Sequence, residues 1–358
     1  MKATQKLHEM GQSLWLDNIT RGLLDSGTLR RYIEELSVTG LTSNPTIFDH
    51  AIKNGHDYDE AIGKRTRAGK SIEELFFELA LEDLGRAADL FLPVFERTDG
   101  VDGWVSLEVS PKLAHDTGKT LAAASDLHAR GGRPNIYIKI PGTAEGLPAI
   151  EEAIFAGVPV NVTLLFSREQ YIAAAEAYLR GIERRIEAGL NPQVSSVASM
   201  FISRWDVAVA KEAPERLRDQ LGIAIAKRTY KAYRDLVDSP RSQRALNSGA
   251  RPQRLLWAST GTKDPSASDL LYIKALAAPF TVNTMPEPTL HALAEHGELD
   301  AILPADGGDC EVVLGRFAEA GIDIDLLAAR LQDEGAKSFV KSWEELMACI
   351  ASKARSLG

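Results

Sequence analysis

Cysteine and long hydrophobic segments are both scarce in this sequence. Cys310 and Cys349 are the only cysteines among 358 residues, too few for a disulfide framework or a thiolate zinc site, so we expect a reducing compartment. No apolar run reaches the roughly 18 residues of a transmembrane helix, and Met1–Lys6 lacks the apolar core of a signal peptide. These absences predict a soluble, cytoplasmic protein with no membrane partner.

Positive charge is also in short supply. The chain has 41 Lys and Arg against 50 Asp and Glu, which gives a formal net charge of −9. A protein that binds nucleic acid usually carries a basic excess, so we expect no nucleic-acid partner. If the substrate is an anion, the positive charge that binds it must be local.

Several common catalytic motifs are missing. The seven histidines form no HxxxH or HExxH pair, no Gly-x-Ser-x-Gly elbow occurs, and no GxGxxG follows a predicted strand. Residues 69–71 (GKS) and 118–120 (GKT) resemble the end of a P-loop, but positions 64 and 113 lack its first glycine. We therefore expect no metal site and no cofactor.

Short β-type runs alternate with longer helical segments along the chain. Strands that alternate with helices imply βαβ units and a parallel sheet, and eight strands suit a closed barrel better than an open sheet. The predicted fold is an α/β protein with a (β/α)8, or TIM, barrel. The eight predicted strands are Leu14–Ile19, Val38–Asn44, Trp104–Val109, Asn135–Pro141, Val158–Phe166, Ser196–Ser203, Leu255–Ser259 and Phe280–Thr284.

The remaining segments predict helices added to one barrel domain over residues 1–358. The long gaps at about 45–103 and 205–253 indicate helical insertions, and about 287–358 a C-terminal helical extension. No linker rich in Pro, Gly and Ser divides the chain.

One charged residue lies in a strand that should be buried. In the run NIYIKIPG from residue 135, the three isoleucines share one face, and Tyr137 and Lys139 share the other. In a barrel, Lys139 would point inward near the end of the strand where barrel enzymes have their active sites. Burial lowers the pKa of a lysine, and a neutral amine can form a Schiff base with a carbonyl. A lysine that pairs with a carboxylate or reaches solvent is the alternative.

Alternation also selects polar residues on other predicted strands. Taken singly, each of these residues could lie at a strand end or be a core residue whose polar atoms are hydrogen-bonded. Polar groups on so many strands are unfavourable unless they meet in one pocket, and with Lys139 they have the composition of an active site. These residues are Asp17, Glu108, Asn161, Thr163, Ser199 and Ser203, and Phe201 shares the strand face of the two serines.

From Leu14 to about Pro286 the chain resembles the transaldolase family. A single short motif would be weak evidence for this resemblance, but five motifs occur in the family's order on successive predicted strands, which is specific evidence. The family fold is a (β/α)8 barrel of the lysine-dependent, class I aldolase kind. The motifs are LTSNPT (41–46), VSLEV (105–109), IKIP (138–141), VNVTLLF (160–166) and WAST (257–260).

The resemblance implies a cofactor-free transferase of the non-oxidative pentose phosphate pathway. Lys139 would form a Schiff base with a ketose phosphate, release an aldose phosphate, and pass the bound dihydroxyacetone unit to another aldose phosphate. The family pairs are sedoheptulose 7-phosphate with glyceraldehyde 3-phosphate, and fructose 6-phosphate with erythrose 4-phosphate.

Further site residues are implied by the same resemblance. Asp17 matches the acid/base residue, and Glu108 and Thr163 match a pair that holds a catalytic water. Asn44 and Asn161 match residues that hydrogen-bond the dihydroxyacetone unit.

The outer part of the implied site departs from the family pattern. Ser199 and Phe201 match substrate-lining positions, and Arg204 matches a phosphate-binding arginine, although SMFISRW replaces the commoner SPFVGR. Two residues after Ser259, itself matched to a substrate-binding position, many members have an arginine where this chain has glycine. We expect Lys263 to supply that charge, although a lysine cannot clamp phosphate as arginine does; a solvated loop lysine is the alternative.

Two other functions stay open at this point. An aldolase that uses the same Lys139 would release free dihydroxyacetone, but close relatives of that kind are much shorter chains. A silent sugar-phosphate-binding barrel would be expected to lose Lys139, Asp17 or Glu108, and all three are present. The sequence leaves monomer and homodimer both open.

Overall fold

Eight parallel strands form a closed barrel at the centre of the protein. The computed structural model describes residues 2–299 and 301–357; the strands pair in chain order and β8 returns to β1. All eight strands were predicted, with each end within two residues of its observed position, and the (β/α)8 barrel is confirmed. The strands are β1 Gln12–Asp17, β2 Val38–Thr42, β3 Trp104–Glu108, β4 Ile136–Pro141, β5 Val160–Leu165, β6 Ser196–Phe201, β7 Arg254–Ala258 and β8 Thr281–Met285.

Helices fill the connections between the strands. None of those in the described residues is long and apolar enough to cross a membrane. The helices are α1 Ala3–Glu9, α2 Arg21–Asp25, α3 Thr28–Leu36, α4 Pro45–Asn54, α5 Asp59–Arg67, α6 Ile72–Arg97, α7 Thr117–Gly131, α8 Gly146–Ala156, α9 Arg168–Glu187, α10 Ser203–Val209, α11 Leu221–Val237, α12 Pro240–Asn247, α13 Leu271–Ala275, α14 Glu287–His296, α15 Cys310–Glu319 and α16 Ile324–Leu357.

Within the described residues, three segments hold three helices each. Helices α4–α6 lie between β2 and β3, α10–α12 between β6 and β7, and α14–α16 follow β8. These are the segments in which the sequence predicts helical additions; Met1, Asp300 and Gly358 lie outside the described residues.

Aromatic rings fill the barrel below its carboxyl end. Trp104 and Tyr137 stack with ring centroids 4.1 Å apart, and Trp15 lies 6.0 Å from Tyr137. Because side chains alternate along a strand, Asp17 and Lys139 lie one layer above Trp15 and Tyr137. This aromatic layer, which we call the aromatic floor, therefore lies directly below the two charged groups.

A buried polar network fixes the loop that follows β1. Arg21 forms an ion pair with Asp83 (2.9 Å), a fully buried residue of α6. The Tyr58 hydroxyl donates to the same carboxylate at 2.8 Å and accepts from the Arg21 backbone N–H at 3.1 Å. Because each polar group in this network has a hydrogen-bond or ion-pair partner, the network can be buried in the core and hold the β1–α2 loop in place.

Candidate active site

A pocket of about 580 Å³ opens at the carboxyl end of the barrel. Nine of the eleven predicted site residues line it, and Glu108 and Asn161 are buried next to lining residues. Parallel strands bring their carboxyl ends to one rim, which is why residues from β1 to β7 meet here. The nine lining residues are Asp17, Asn44, Lys139, Thr163, Ser199, Phe201, Arg204, Ser259 and Lys263.

Lys139 and Glu108 form a buried ion pair at the base of the pocket. They are register partners on β4 and β3, and Lys139 Nζ lies 3.2 Å from Glu108 Oε2. The two residues are only 6% and 4% exposed, and Nζ also donates to the Ser43 carbonyl at 3.1 Å. Burial raises the pKa of the Glu108 carboxyl, and the charge of Lys139 opposes that rise. Lys139 thus both pairs with a carboxylate and faces the pocket.

Asp17 is a second carboxyl group near the same cation. Its Oδ1 accepts a hydrogen bond from Thr42 Oγ1 at 2.8 Å, and this hydroxyl lies 2.7 Å from Thr284 Oγ1. Burial raises the pKa of Asp17, while Lys139, the Thr42 hydrogen bond and Lys263 oppose the rise. Two carboxyl groups that share one buried lysine, each with a raised pKa, are suited to accept and return protons.

Amide side chains have defined orientations around the pocket. Asn44 caps helix α4, and its Oδ1 accepts from the Ile47 N–H at 3.1 Å, so Nδ2 is left for a ligand. Asn161 donates to Ser106 Oγ at 3.1 Å and accepts from Ser199 Oγ at 2.7 Å. Ser199 lines the pocket, and Asn161 supports it from behind.

Three buried oxygens at this depth have no hydrogen-bond partner among the described residues. They are both carboxyl oxygens of Glu108, of which Oε2 lies in the ion pair with Lys139, and Oγ1 of Thr163. An unsatisfied buried polar atom costs about 1–3 kcal/mol, so such atoms often mark a site that binds water or ligand.

The two expected cations lie on the outer wall of the pocket. Half-buried Arg204 has no carboxylate within 4.0 Å in the described parts of the chain, and its Cζ lies 5.4 Å and 5.9 Å from the Phe201 and Phe339 ring centroids. Burial lowers the pKa of this guanidinium. Lys263 is exposed in the loop after β7. An unpaired guanidinium between aromatic rings is available for an anion.

Ser259 holds the ends of two strands together next to these cations. Its hydroxyl lies 2.8 Å from Ser203 Oγ, so a hydrogen bond joins the carboxyl end of β7 to the start of α10. Ser259 also adopts a left-handed backbone conformation, with φ of 56°, as the chain turns into the loop that carries Lys263.

Sequence reasoning missed several pocket residues. Asn18 directly follows Asp17, His50 lies near the end of α4, and Phe339 belongs to α16 at the far end of the chain. Gln332 attaches α16 to the barrel rim by donating to the Gly142 and Leu164 carbonyls at 3.0 Å and 2.9 Å. Because Asn18 directly follows Asp17 at the end of β1, its position could have predicted that it lines the pocket. The sequence of an amphipathic helix such as α16 does not indicate which barrel residues the helix will cover.

Comparison with known proteins gives a consistent result. Residues 14–350 match the family described as transaldolase/fructose-6-phosphate aldolase. The chain is 43% identical to a transaldolase of Arthrobacter sp. (strain FB24), with 96% of this chain and 95% of the relative covered. It is 44% identical to a transaldolase of Saccharopolyspora erythraea, with 97% and 96% covered. A transaldolase of Mycobacterium tuberculosis is 42% identical, with 95% and 94% covered.

The shared cation predicts a pH-dependent effect on stability. In Lys139→Met, Glu108 and Asp17 lose the charge that opposes their raised pKa values. A carboxyl group whose pKa is higher in the folded than in the unfolded state binds more protons when the protein is folded. Its contribution to the free energy of unfolding therefore falls as the pH rises from the unfolded-state pKa to the folded-state pKa. We expect the melting temperature of Lys139→Met to fall, relative to the unaltered protein, as the pH rises above the ordinary carboxyl pKa of about 4.

Adding Glu108→Gln and Asp17→Asn to Lys139→Met should remove this pH dependence. Thermal unfolding followed by circular dichroism across the pH range measures it. An equal pH dependence of the melting temperature in the single and triple variants would show that the pKa values of these carboxyl groups do not depend on Lys139.

Proposed function

The chain belongs to the transaldolase/fructose-6-phosphate aldolase family, and from that premise we propose that it transfers a dihydroxyacetone unit between sugar phosphates through a Schiff base on Lys139. The donor is sedoheptulose 7-phosphate or fructose 6-phosphate, and the acceptor is glyceraldehyde 3-phosphate or erythrose 4-phosphate. The observation that carries this proposal is the buried Lys139–Glu108 pair at the base of a pocket whose wall holds two cations with no carboxylate partner among the described residues. The reaction needs no cofactor.

Glu108 manages the protons of Schiff-base formation. A proton moves from Lys139 Nζ to the carboxylate 3.2 Å away, and the neutral amine attacks the ketose carbonyl. The carbinolamine hydroxyl then takes up this proton and leaves as water, so that an iminium ion remains. A water held between Glu108 Oε1 and Thr163 Oγ1 carries the proton, and the lack of other partners for these two oxygens supports this role.

Asp17 acts in the cleavage of the carbon–carbon bond. Its carboxylate takes the proton from the hydroxyl on C4 of the ketose, two carbons from the iminium carbon C2. The C3–C4 bond breaks, C4 becomes the aldehyde carbon of the aldose, and the electrons of that bond move toward the iminium nitrogen. An aldose phosphate leaves and a three-carbon enamine stays on Lys139. The reverse steps, with a different aldose phosphate, complete the transfer. A raised pKa suits a group that must both accept and return this proton.

The amide groups hold the three-carbon unit while it waits for an acceptor. Asn44 Nδ2 is free to donate because its Oδ1 caps α4. Asn161 donates to Ser106 and accepts from Ser199, so it holds the Ser199 hydroxyl in place beside the three-carbon unit. Ser199 contacts the same unit from the pocket wall.

Arg204 and Lys263 bind the substrate phosphate in this proposal. Arg204 is held by the rings of Phe201 and Phe339, and Lys263 supplies a point charge from the loop after β7. Ser259 lines the same pocket, and its hydrogen bond to Ser203 links the end of β7 to the start of α10. We also propose a cytoplasmic location, which the free thiols of Cys310 and Cys349 support.

Chemical trapping tests the role assigned to Lys139. Borohydride reduction in the presence of fructose 6-phosphate should leave a three-carbon adduct on the peptide that contains Lys139, as mapped by mass spectrometry. Lys139→Ala should give no adduct and no turnover. Lys211→Ala, which changes an exposed lysine outside the pocket, is the matched control. An adduct on another lysine, or undiminished turnover of Lys139→Ala, would refute the assignment.

Kinetics test the role assigned to Lys263. Lys263→Ala should raise the KM for fructose 6-phosphate more than it lowers kcat, because a phosphate contact is made equally in the ground and transition states. The kcat/KM for unphosphorylated fructose should not change. If both sugars are affected equally, or neither is, Lys263 does not bind the phosphate.

A further inference from the structure

A chain of four hydrogen-bonded side chains reaches the pocket next to Asp17. Asn18, the residue directly after β1, donates from Nδ2 to Glu287 Oε2 at 3.0 Å. The Tyr32 hydroxyl donates to the other oxygen of Glu287 at 2.5 Å and lies 2.8 Å from His291 Nε2. Tyr32 comes from α3, and Glu287 and His291 lie one turn apart on α14. Three separate parts of the fold therefore converge on one pocket residue.

The direction of each hydrogen bond in this chain is determined. Tyr32 has one hydroxyl proton and gives it to Glu287, so the hydroxyl oxygen accepts from His291 and that ring must carry its proton on Nε2. Burial and the neighbouring carboxylate raise the pKa of Tyr32, which keeps its proton available for donation. Glu287 accepts from both sides and cannot donate. The carboxylate consequently fixes the amide of Asn18 with its nitrogen toward Glu287.

This orientation leaves Asn18 Oδ1 as the polar atom offered to the pocket. Asn18 lines the pocket, and its Oδ1 has no hydrogen-bond partner in the described part of the chain. A carbonyl oxygen accepts from hydroxyl groups and does not attract phosphate. Because Asn18 follows the end of β1, it stands above Asp17, on the side of the pocket away from the aromatic floor.

We propose that Asn18 Oδ1 accepts a hydrogen bond from a hydroxyl of the aldose part of the substrate, and that Glu287, Tyr32 and His291 are positioning residues for it. This rests on the function proposed above, in which Lys139 and Asn44 hold the three-carbon part and Arg204 and Lys263 hold the phosphate. The aldose hydroxyls lie between these two groups. Asn18 would thus help to select a polyhydroxy aldose over a simpler aldehyde.

Kinetics with two kinds of acceptor test this inference. Asn18→Ala and Glu287→Ala should each raise the KM for erythrose 4-phosphate about three- to tenfold, the range expected for one neutral hydrogen bond, with kcat within about twofold. At saturating fructose 6-phosphate, unaltered amounts of the borohydride-trapped adduct on Lys139 are expected, because Asn18 does not contact the three-carbon unit. With glycolaldehyde phosphate, which has no free hydroxyl beyond its carbonyl, the KM should be unaffected.

The conservative variant Glu287→Gln separates positioning from general stability. Its amide oxygen can still accept from Asn18, while its nitrogen donates to Tyr32, which then donates to the other tautomer of His291. Glu287→Gln should therefore retain a near-normal KM where Glu287→Ala does not. Glu295→Ala, an exposed residue of the same helix outside the pocket, is the matched control.

The outcomes distinguish this inference from the function on which it rests. Absence of the adduct in the unaltered protein would overturn both. Normal trapping with an unchanged KM in Asn18→Ala would overturn only the role of Asn18. An equal rise in KM for Glu287→Gln and Glu287→Ala, or for both acceptors, would overturn the positioning chain, and thermal unfolding of each variant shows that the compared proteins are folded.

Discussion

The buried pair of Lys139 and Glu108 is the constraint on which the rest of the site depends. A lone charge in the barrel interior would be strongly unfavourable, and the adjacent positions of the two residues on β4 and β3 make both tolerable. The pair still has one positive charge for two carboxyl groups, because Asp17 lies within the influence of the same lysine. Because the charges do not balance, the two carboxyl groups can exchange protons readily. The aromatic floor fills the barrel beneath them, so the reaction takes place at the open end of the barrel.

The net charge of −9 requires an explanation for how such a protein binds sugar phosphates. On the surface, many Arg and Lys side chains pair with carboxylates, as Arg241 does with Glu176 and Glu183. Arg204 is held by aromatic rings instead, and Phe339 of α16 provides one of them. The C-terminal helix is thus part of the site's wall as well as of the fold, which agrees with its attachment to the barrel rim through Gln332.

Much of this arrangement could be predicted from the sequence, because the alternation of side chains along a strand indicates which of them face inward. The β-type runs identified the eight strands, and their alternation predicted that Asp17, Glu108 and Lys139 meet in one pocket. Alternation could not predict contacts made after a strand ends or across the chain. Asn18, whose amide is oriented from α14, and Phe339, which arrives from α16, depend on packing that has no periodic signal. The position of Asn161 behind Ser199 likewise follows from side-chain hydrogen bonds.

Transfer from one sugar to another is the central claim, and label transfer measures it directly. The protein is incubated with fructose 6-phosphate labelled in its first three carbons, with and without erythrose 4-phosphate. We expect label in sedoheptulose 7-phosphate when the acceptor is present, and only slow release of free dihydroxyacetone when it is absent. Rapid release of labelled dihydroxyacetone at the same rate in both mixtures would contradict it and identify a lyase.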